Sequence, residues 1–407
     1  MRSTKARHSQ MDCRVFEVKV VSSKISKAQK EQVNQYFREA KWRRNSIVAN
    51  LESADRNEKT AIVKIGDTFE ERPLELLGSQ VRQDIYDMVK SEIRGLHTKK
   101  GKGEKVGALG FKSYCNSIPL RQYGVTYRID FPRNRIKIQN IDKDFYVRGL
   151  KQIPDIAEIT NARFIRKPDG LYFHITCFTP KEERVKTDKE CGIDFGIEHN
   201  LTLSDGTVFD IHVPESKRAK LASVRVNRSL RKNNGKRSGN HYRRVKKLQI
   251  TYQKDRNRRT DLANKIVHDI LTSYDFIAVQ DEMIHNWHSG LFGKQVQHSA
   301  MGYIKARLRN NFRVHVVERS FPSTQICPVC GCLTKHPLSE REYNCIHCGY
   351  HHDSRDIKSA QSILEEALRQ VSMERRAQSL VENSSAVPVS SDTEYKNSSM
   401  KQEAQML

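Results

Sequence analysis

The sequence predicts an α+β multidomain chain: a small N-terminal β-barrel with inserted helices, then an α/β domain into which a four-cysteine ribbon is inserted. Three observations predict it. Short alternating strand patterns, punctuated by Gly, Pro and Asn, crowd residues 118–179 behind two amphipathic helical patterns. After residue 190 the rhythm changes to apolar strands and intervening helices, the order of βαβ connections. Late in the chain two C-x₂-C pairs, Cys327/Cys330 and Cys345/Cys348, stand 14 residues apart. That spacing suits four thiolates around one Zn²⁺. Gly331 and Gly349 follow the pairs, where a tight turn around a metal favours positive φ. Cys332 is a spare thiol, and His351 and His352 are nearby competitors for the metal.

Composition narrows the functions. A formal net charge of +24 exceeds what solubility requires and points to a polyanionic partner. Much of it is concentrated: Lys217 to Arg259 holds seventeen Lys or Arg against a single acid, Asp255. A merely solvated helix would mix signs, so a phosphate backbone is the expected partner. There is no run of about eighteen apolar residues, hence no expected membrane span. The basic start has no apolar core of a secretory signal. Nine cysteines, scattered or in the zinc pattern, fit a reducing cytosol rather than a disulfide framework.

In chain order, residues 1–12 are expected to be disordered and Val15 to Val21 to form a strand. Ser26 to Leu51 reads as a helix, with Trp42 either a core anchor or a stacking platform for single-stranded nucleic acid. A helix over Gln80 to Leu96 leads into a flexible basic loop, residues 98–107. Strands follow at Ile118–Leu120, Gly124–Phe131, Arg135–Ile141, Phe145–Leu150, Ile156–Arg166 and Leu171–Thr179.

From Glu190 three strands come in quick succession, with a hairpin turn at Ser204-Asp205-Gly206. Asp194 is placed at the middle of the first, with Gly192 and Gly196 leaving room around it. A carboxylate on an apolar strand is costly unless it is paired or metal-bound. The basic stretch predicts two helices broken near Asn233-Asn234-Gly235, then a separate helix at Leu262 to Leu271. A buried strand, Asp275 to Gln280, ends in Gln280-Asp281-Glu282. A helix at Met301 to Phe312 and a strand at Arg313 to Val317 lead to the ribbon. Asp356 opens an amphipathic helix, Ile357 to Leu368; alone it would be a cap worth about 1 kcal/mol. The segment from Ser372 to Leu407 has little apolar content and is expected to be flexible.

Asp194, Glu282 and Asp356 thus stand at a strand middle, a strand end and a helix start. An RNase H-like fold brings three such points to one sheet edge, where they hold two divalent metals about 4 Å apart. Hard oxygen ligands suit Mg²⁺. Side chains alternate along a strand, so residues 280 and 282 share a side; Glu282 is the expected middle acid and Asp281 its reserve. Arg355 and Arg319 are candidates to hold a phosphate or to form ordinary salt bridges. His285, His298 and Trp287 are read as packing or substrate contacts rather than ligands.

The segments G-I-D-F-G-I-E-H-N, V-Q-D-E-M-I-H-N-W-H, C-P-V-C-G with C-I-H-C-G, and S-R-D-I-K-S-A resemble the split RuvC and zinc-ribbon motifs of TnpB, the OrfB protein of small bacterial insertion sequences. That family is similar to the compact type V CRISPR effectors. The resemblance covers about Cys191 to Ala360 and, more weakly, the N-terminal half through P-L-R-Q-Y-G-V-T-Y. It implies a Mg²⁺-dependent, RNA-guided DNA endonuclease with one RuvC site, a structural Zn²⁺, a guide RNA, and double-stranded DNA targets beside a short motif. It further implies a bacterial, cytoplasmic and nucleoid-associated protein, with a transposase encoded nearby as a partner. Catalysis would fall to Asp194, Glu282 and Asp356, and nucleic-acid contacts to Arg225, Arg228, Arg231, Arg243, Arg244, Lys246, Lys247 and Arg319. The implied domains are a wedge-like barrel with a recognition segment at 1–185, a RuvC domain at 186–370 interrupted by 214–260 and 322–352, and a tail at 371–407. Many members carry glutamate where Gln280 stands, and the alternative function is a nuclease-dead, guide-directed or zinc-ribbon DNA-binding repressor.

Overall fold

The computed structural model describes residues 4–181, 186–232, 235–290, 292–337 and 340–385. The chain forms two compact units, Met1–Arg184 and Val185–Leu407.

The first unit opens with α1 (Thr4–His8) and β1 (Met11–Val20). The expectation of disorder over 1–12 is therefore corrected for the described residues. Strand β1 pairs along almost its whole length with a later strand, from Met11↔Pro180 to Lys19↔Tyr172, a partner that local composition does not reveal. The His8 ring stacks on Phe178 at 3.8 Å, and Arg7 pairs with Glu158 at 2.7 Å. Next comes α2 (Lys27–Ala49), capped by the Ser26 hydroxyl, which accepts from the Gln29 amide. Trp42 on this helix is buried, in the role of core anchor.

An unanticipated hairpin, β2 (Thr60–Ile65) with β3 (Thr68–Pro73), precedes α3 (Ser79–Gly101). The helix α3 absorbs the start of the supposed basic loop. Lys99 and Lys100 lie in its last turn, where cations complement the helix dipole. Strands β4 (Ser117–Leu120), β5 (Tyr127–Asp130), β6 (Arg135–Ile138), β7 (Phe145–Arg148), β8 (Glu158–Lys167) and β9 (Gly170–Pro180) complete a seven-stranded sheet. Its order is β4-β8-β9-β1-β7-β6-β5. The chain leaving edge strand β4 bonds both to β8, through the Tyr123 amide and Thr160 carbonyl, and to the start of β5, through Gly124 and Tyr127. The sheet is thus a nearly closed barrel. Phe164 stacks on Phe173 at 4.8 Å within its core, with Phe37 of α2 beside them.

The second unit holds β10 (Glu190–Asp194), β11 (Leu201–Leu203), β12 (Val208–Phe209), α4 (Lys217–Lys232), α5 (Gly239–Ser273) and β13 (Phe276–Gln280). It continues through α6 (Ile284–Trp287), α7 (Gly293–His298), α8 (Met301–Arg309), β14 (Val314–Val317), β15 (Tyr343–Asn344), β16 (His351–His352) and α9 (Arg355–Ser385). The main sheet has the order β12-β11-β10-β13-β14. Strands β10, β11 and β12 are antiparallel, whereas β10, β13 and β14 are parallel. Alternation sorts the two faces. Cys191, Ile193, Ile277 and Val279 pack on α5 and α8; Ala278 and Val317 pack on Ile363 and Ala367 of α9.

Four expectations are corrected here. Leu262 to Leu271 is no separate helix but part of α5, a continuous 35-residue helix with no internal proline or glycine to stop it. Asp194 ends β10 rather than standing at its middle. The chain must turn there into β11, and the Gly196 amide reaches back to the Asn200 carbonyl. Glu282 lies two residues beyond β13, whose ladder to β14 ends at Gln280↔Val317. The flexible segment expected from Ser372 is helical through Ser385, because good helix formers propagate a helix already nucleated by packing upstream. Residues 386–407, and the predicted break at 233–234, lie outside the described residues.

Candidate active site and metal centre

The sheet order places the C-terminal ends of adjacent parallel strands β10 and β13 side by side, with the first turn of α9 over them. Gly192 permits the approach: a Cβ there would fall 1.9 Å from the Ala360 carbonyl oxygen of α9. Asp194, Glu282 and Asp356 come together as a result. Burial first, then the charges of Glu282 and Asp356, raise the Asp194 carboxyl well above the usual range. The buried Ser359 hydroxyl on α9, which lacks a partner of good geometry, stands beside Asp194 and acts the other way.

Burial also pushes Glu282 up to about 7, against the pull of Lys305. Its Oε2 is buried without a hydrogen-bond partner. Mutually repelling carboxylates and an orphaned anionic oxygen form a donor set short of positive charge, so these residues fit a hard divalent cation. Among the described residues, the group of three or more His, Cys, Asp or Glu side chains gathered as for a single ion is the four cysteines, whose sulfurs all lie within 4.8 Å of one another.

The Gln280-Asp281-Glu282 run separates by face. Gln280 is buried, and its amide nitrogen donates to the carbonyls of Phe321 at 2.6 Å, Glu318 at 3.2 Å and Arg319 at 3.3 Å. Its amide oxygen accepts from Ser323 at 2.9 Å. A glutamate here would set an acceptor against those carbonyls. Asp281 points to the other face and meets Lys305 at 3.3 Å, Arg309 at 2.8 Å and Arg319 at 3.5 Å. Partial burial raises its pKa, but these cations outweigh that and hold it below the usual range. Lys305 also donates to the Glu282 carbonyl, stitching the turn together.

Of the two arginines read as phosphate holders, Arg319 is engaged with Asp281, and Arg355 donates to the Pro337 carbonyl at 2.9 Å. Sequence reasoning missed Lys305 and Arg341. The Arg341 guanidinium reaches Asp356 at 4.0 Å and pairs with Glu198. Nothing in the local sequence marks either cation, because each is defined by a partner far along the chain. The His285 ring neighbours His288, and the His298 ring neighbours His212; Trp287 packs on the core.

The cysteine centre is compact. Cys327 and Cys348 sulfurs stand 3.6 Å apart, as do those of Cys330 and Cys345. Tetrahedral ligands with Zn–S bonds of about 2.3 Å would be about 3.8 Å apart, so the four thiols fit Zn²⁺. Gly331 and Gly349 have φ of 69° and 76°, and their amides close each knuckle onto the Cys327 and Cys345 carbonyls. Cys332 lies outside the set and contributes a carbonyl to the Cys327 amide. His351 is engaged by Asn344 and Asp353, and His352 accepts from the Ser354 amide. Buried Lys358 of α9 ties the ribbon to the sheet unit: its ammonium donates to the Ser323 carbonyl and lies 4.0 Å from the centre of the Tyr343 ring.

Residues 173–286 match the family described as "Probable transposase", OrfB_IS605, and residues 303–363 match the Cas12f1-like TNB domain. The first match contains Asp194 and Glu282; the second contains the four cysteines and Asp356. A curated protein of Streptomyces pristinaespiralis named "Putative RNA-guided DNA endonuclease" is 27% identical over 227 residues. That match covers 54% of this chain and 55% of the relative, so the chain spans about half the length of the curated protein it matches. A solved Cas12f1–sgRNA–target DNA complex aligns at 12% identity with a TM-score of 0.47, covering 87% of this chain and 99% of that one.

Within this second unit, α4 and α5 carry the concentrated positive charge. Arg225, Arg228, Arg231, Arg243, Arg244, Lys246 and Lys247 are all exposed. The two helices are joined by a buried contact at 2.8 Å between the Ser229 hydroxyl and His241 Nδ1. Asp255, the one acid of the stretch, is buried and occupied by the Ser216 amide and by Arg258 at 2.6 Å, so it does not dilute the exposed basic surface. No helix among the described residues is long and apolar enough to cross a membrane.

Proposed function

We propose that this chain is an RNA-guided DNA endonuclease of the TnpB type, in which Asp194, Glu282 and Asp356 form a single RuvC-type nuclease site. The observation that carries the reading is the meeting of three acids from distant segments, with Asp194 held above its usual pKa by burial and by the other two, and Glu282 Oε2 left without a partner. The strand order β12-β11-β10-β13-β14, three antiparallel and then two parallel additions, is what an RNase H-like sheet would have.

Asp194, Glu282 and Asp356 would hold Mg²⁺, which when bound supplies an activated water and charge neutralisation for in-line phosphodiester hydrolysis. The residues around them do the positioning. Asp281, Lys305 and Gln280 fix the turn that presents Glu282, and Gly192 lets α9 bring Asp356 close. The exposed cations of α4 and α5 would track a nucleic-acid backbone. Base pairing by a guide RNA would supply sequence selection, with the protein reading a short adjacent motif on duplex DNA. The four cysteines would hold a structural Zn²⁺. The barrel unit, the RuvC segments and the ribbon would then be the functional domains, in a bacterial nucleoid setting with a separate transposase as partner.

The test is cleavage of a guide-matched plasmid by the purified full-length chain with its co-purified RNA and Mg²⁺. Asp194→Ala is expected to abolish cutting while RNA binding stays within about twofold. A wild-type complex that binds its matched target yet never cuts it would overturn the nuclease reading in favour of a guide-directed binder.

A further inference from the structure

We propose that Arg341 is a displaceable counter-ion of the carboxylate site, attending Asp356 until a divalent cation arrives and then resting on Glu198. The inference builds on the reading of Asp194, Glu282 and Asp356 as a cation site.

Arg341 belongs to the segment between the two cysteine pairs, four residues before Cys345. Its place beside the acids is built rather than incidental. The Arg341 carbonyl accepts from the Arg355 amide at 2.6 Å, and the Pro337 carbonyl accepts from the Arg355 guanidinium at 2.9 Å. These two bonds fasten the ribbon segment to the first turn of α9, where Asp356 stands. From that anchor the Arg341 side chain spans two acids, with one nitrogen 4.0 Å from Asp356 Oδ2 and the other paired with Glu198.

The unequal pairings point to exchange. At 4.0 Å the Asp356 contact is an ion pair without hydrogen-bond geometry, so it opens at little cost. Glu198 stands within the turn between β10 and β11 and is already engaged, giving the guanidinium a second resting place. Arg341 is half-exposed, so it can move without repacking the core. Of the other cations nearby, Lys305 is committed to Asp281 and the Glu282 carbonyl and Arg319 to Asp281, while Arg355, held by the Pro337 carbonyl, attends Asp194 and leaves Asp356 to Arg341. A divalent cation on Asp356 and a guanidinium a few ångströms away repel each other, so each weakens the other's hold on the carboxylate.

The consequence is opposite in sign to that of a scaffold residue. Mn²⁺ binding to the full-length chain freed of nucleic acid, followed by electron paramagnetic resonance, reads it directly, with Asp194→Asn marking which sites depend on the carboxylates. Arg341→Gln is expected to lower the Kd of the Asp194-dependent Mn²⁺ by roughly 3- to 10-fold, with Arg341→Lys close to wild type. Unchanged or weaker Mn²⁺ binding in Arg341→Gln, with Asp194-dependent sites intact, would overturn the counter-ion role and leave the nuclease reading standing. Wild-type protein with no Asp194-dependent Mn²⁺ at all would remove the nuclease reading and the counter-ion with it.

Discussion

Glu282 carries a clear electrostatic signature. Its carboxyl is pushed from an ordinary 4.5 up to about 7, so the folded chain keeps that proton where the unfolded chain has released it. A raised acid stabilises the fold fully below the unfolded pKa, and that contribution is lost as pH rises through the folded value. The window is about 4.5 to about 7, and its size is on the order of 3 kcal/mol at most. The metal-free protein should therefore lose thermal stability between pH 5 and pH 8, and Glu282→Gln should flatten that slope. Mg²⁺ should raise the melting temperature more at pH 8 than at pH 5. Melting curves at the two pH values decide it; equal slopes in wild type and variant would show that Glu282 is not so perturbed. The neighbouring residues divide the labour: Asp281 is occupied by three cations and Gln280 by four hydrogen bonds, leaving Glu282 as the acid turned toward Asp194.

Among the elements, α9 does the most to assemble the site. It covers the face of the sheet formed by Ala278 and Val317, brings Asp356 over the strand ends, and grips the ribbon through Lys358. Its close approach depends on Gly192, because a Cβ would strike the Ala360 carbonyl, which is backbone and cannot rotate away. Gly192→Ala should cost about 2–4 kcal/mol in urea unfolding and depress cleavage together with it, since α9 must shift. A well-tolerated Gly192→Ala with full activity would mean that the strand–helix distance is not critical. The paired helices α4 and α5 make a separate contribution. Replacing Arg243, Arg244, Lys246 and Lys247 by Gln should weaken nucleic-acid binding for all sequences alike. The slope of log affinity against log salt should fall by roughly 0.7–0.9 for each phosphate that the variant no longer neutralises. A changed sequence preference at constant slope would argue for base contacts instead.

At the scale of the whole molecule, what was legible in the sequence follows from distance along the chain. The cysteine spacing, the glycines of the knuckles, the block of positive charge and the period-2 strands are local patterns, and the folded chain keeps them. Element ends were less legible, because the limits of β1 and β13 are set by the strands beside them. The disorder expected at the N-terminus gave way to a strand whose partner lies more than 150 residues away. The long α5 hides a boundary that amphipathic pattern alone suggested. Two basic residues beside the acids, Lys305 and Arg341, carry no local mark at all. By itself the sequence determined the chemistry available: thiolates at metal spacing, three isolated acids in order, and an excess of cations. Only the tertiary structure decided which acid of Asp281 and Glu282 turns inward and which cations attend them, because those choices depend on the sheet register and on where α9 lands across it.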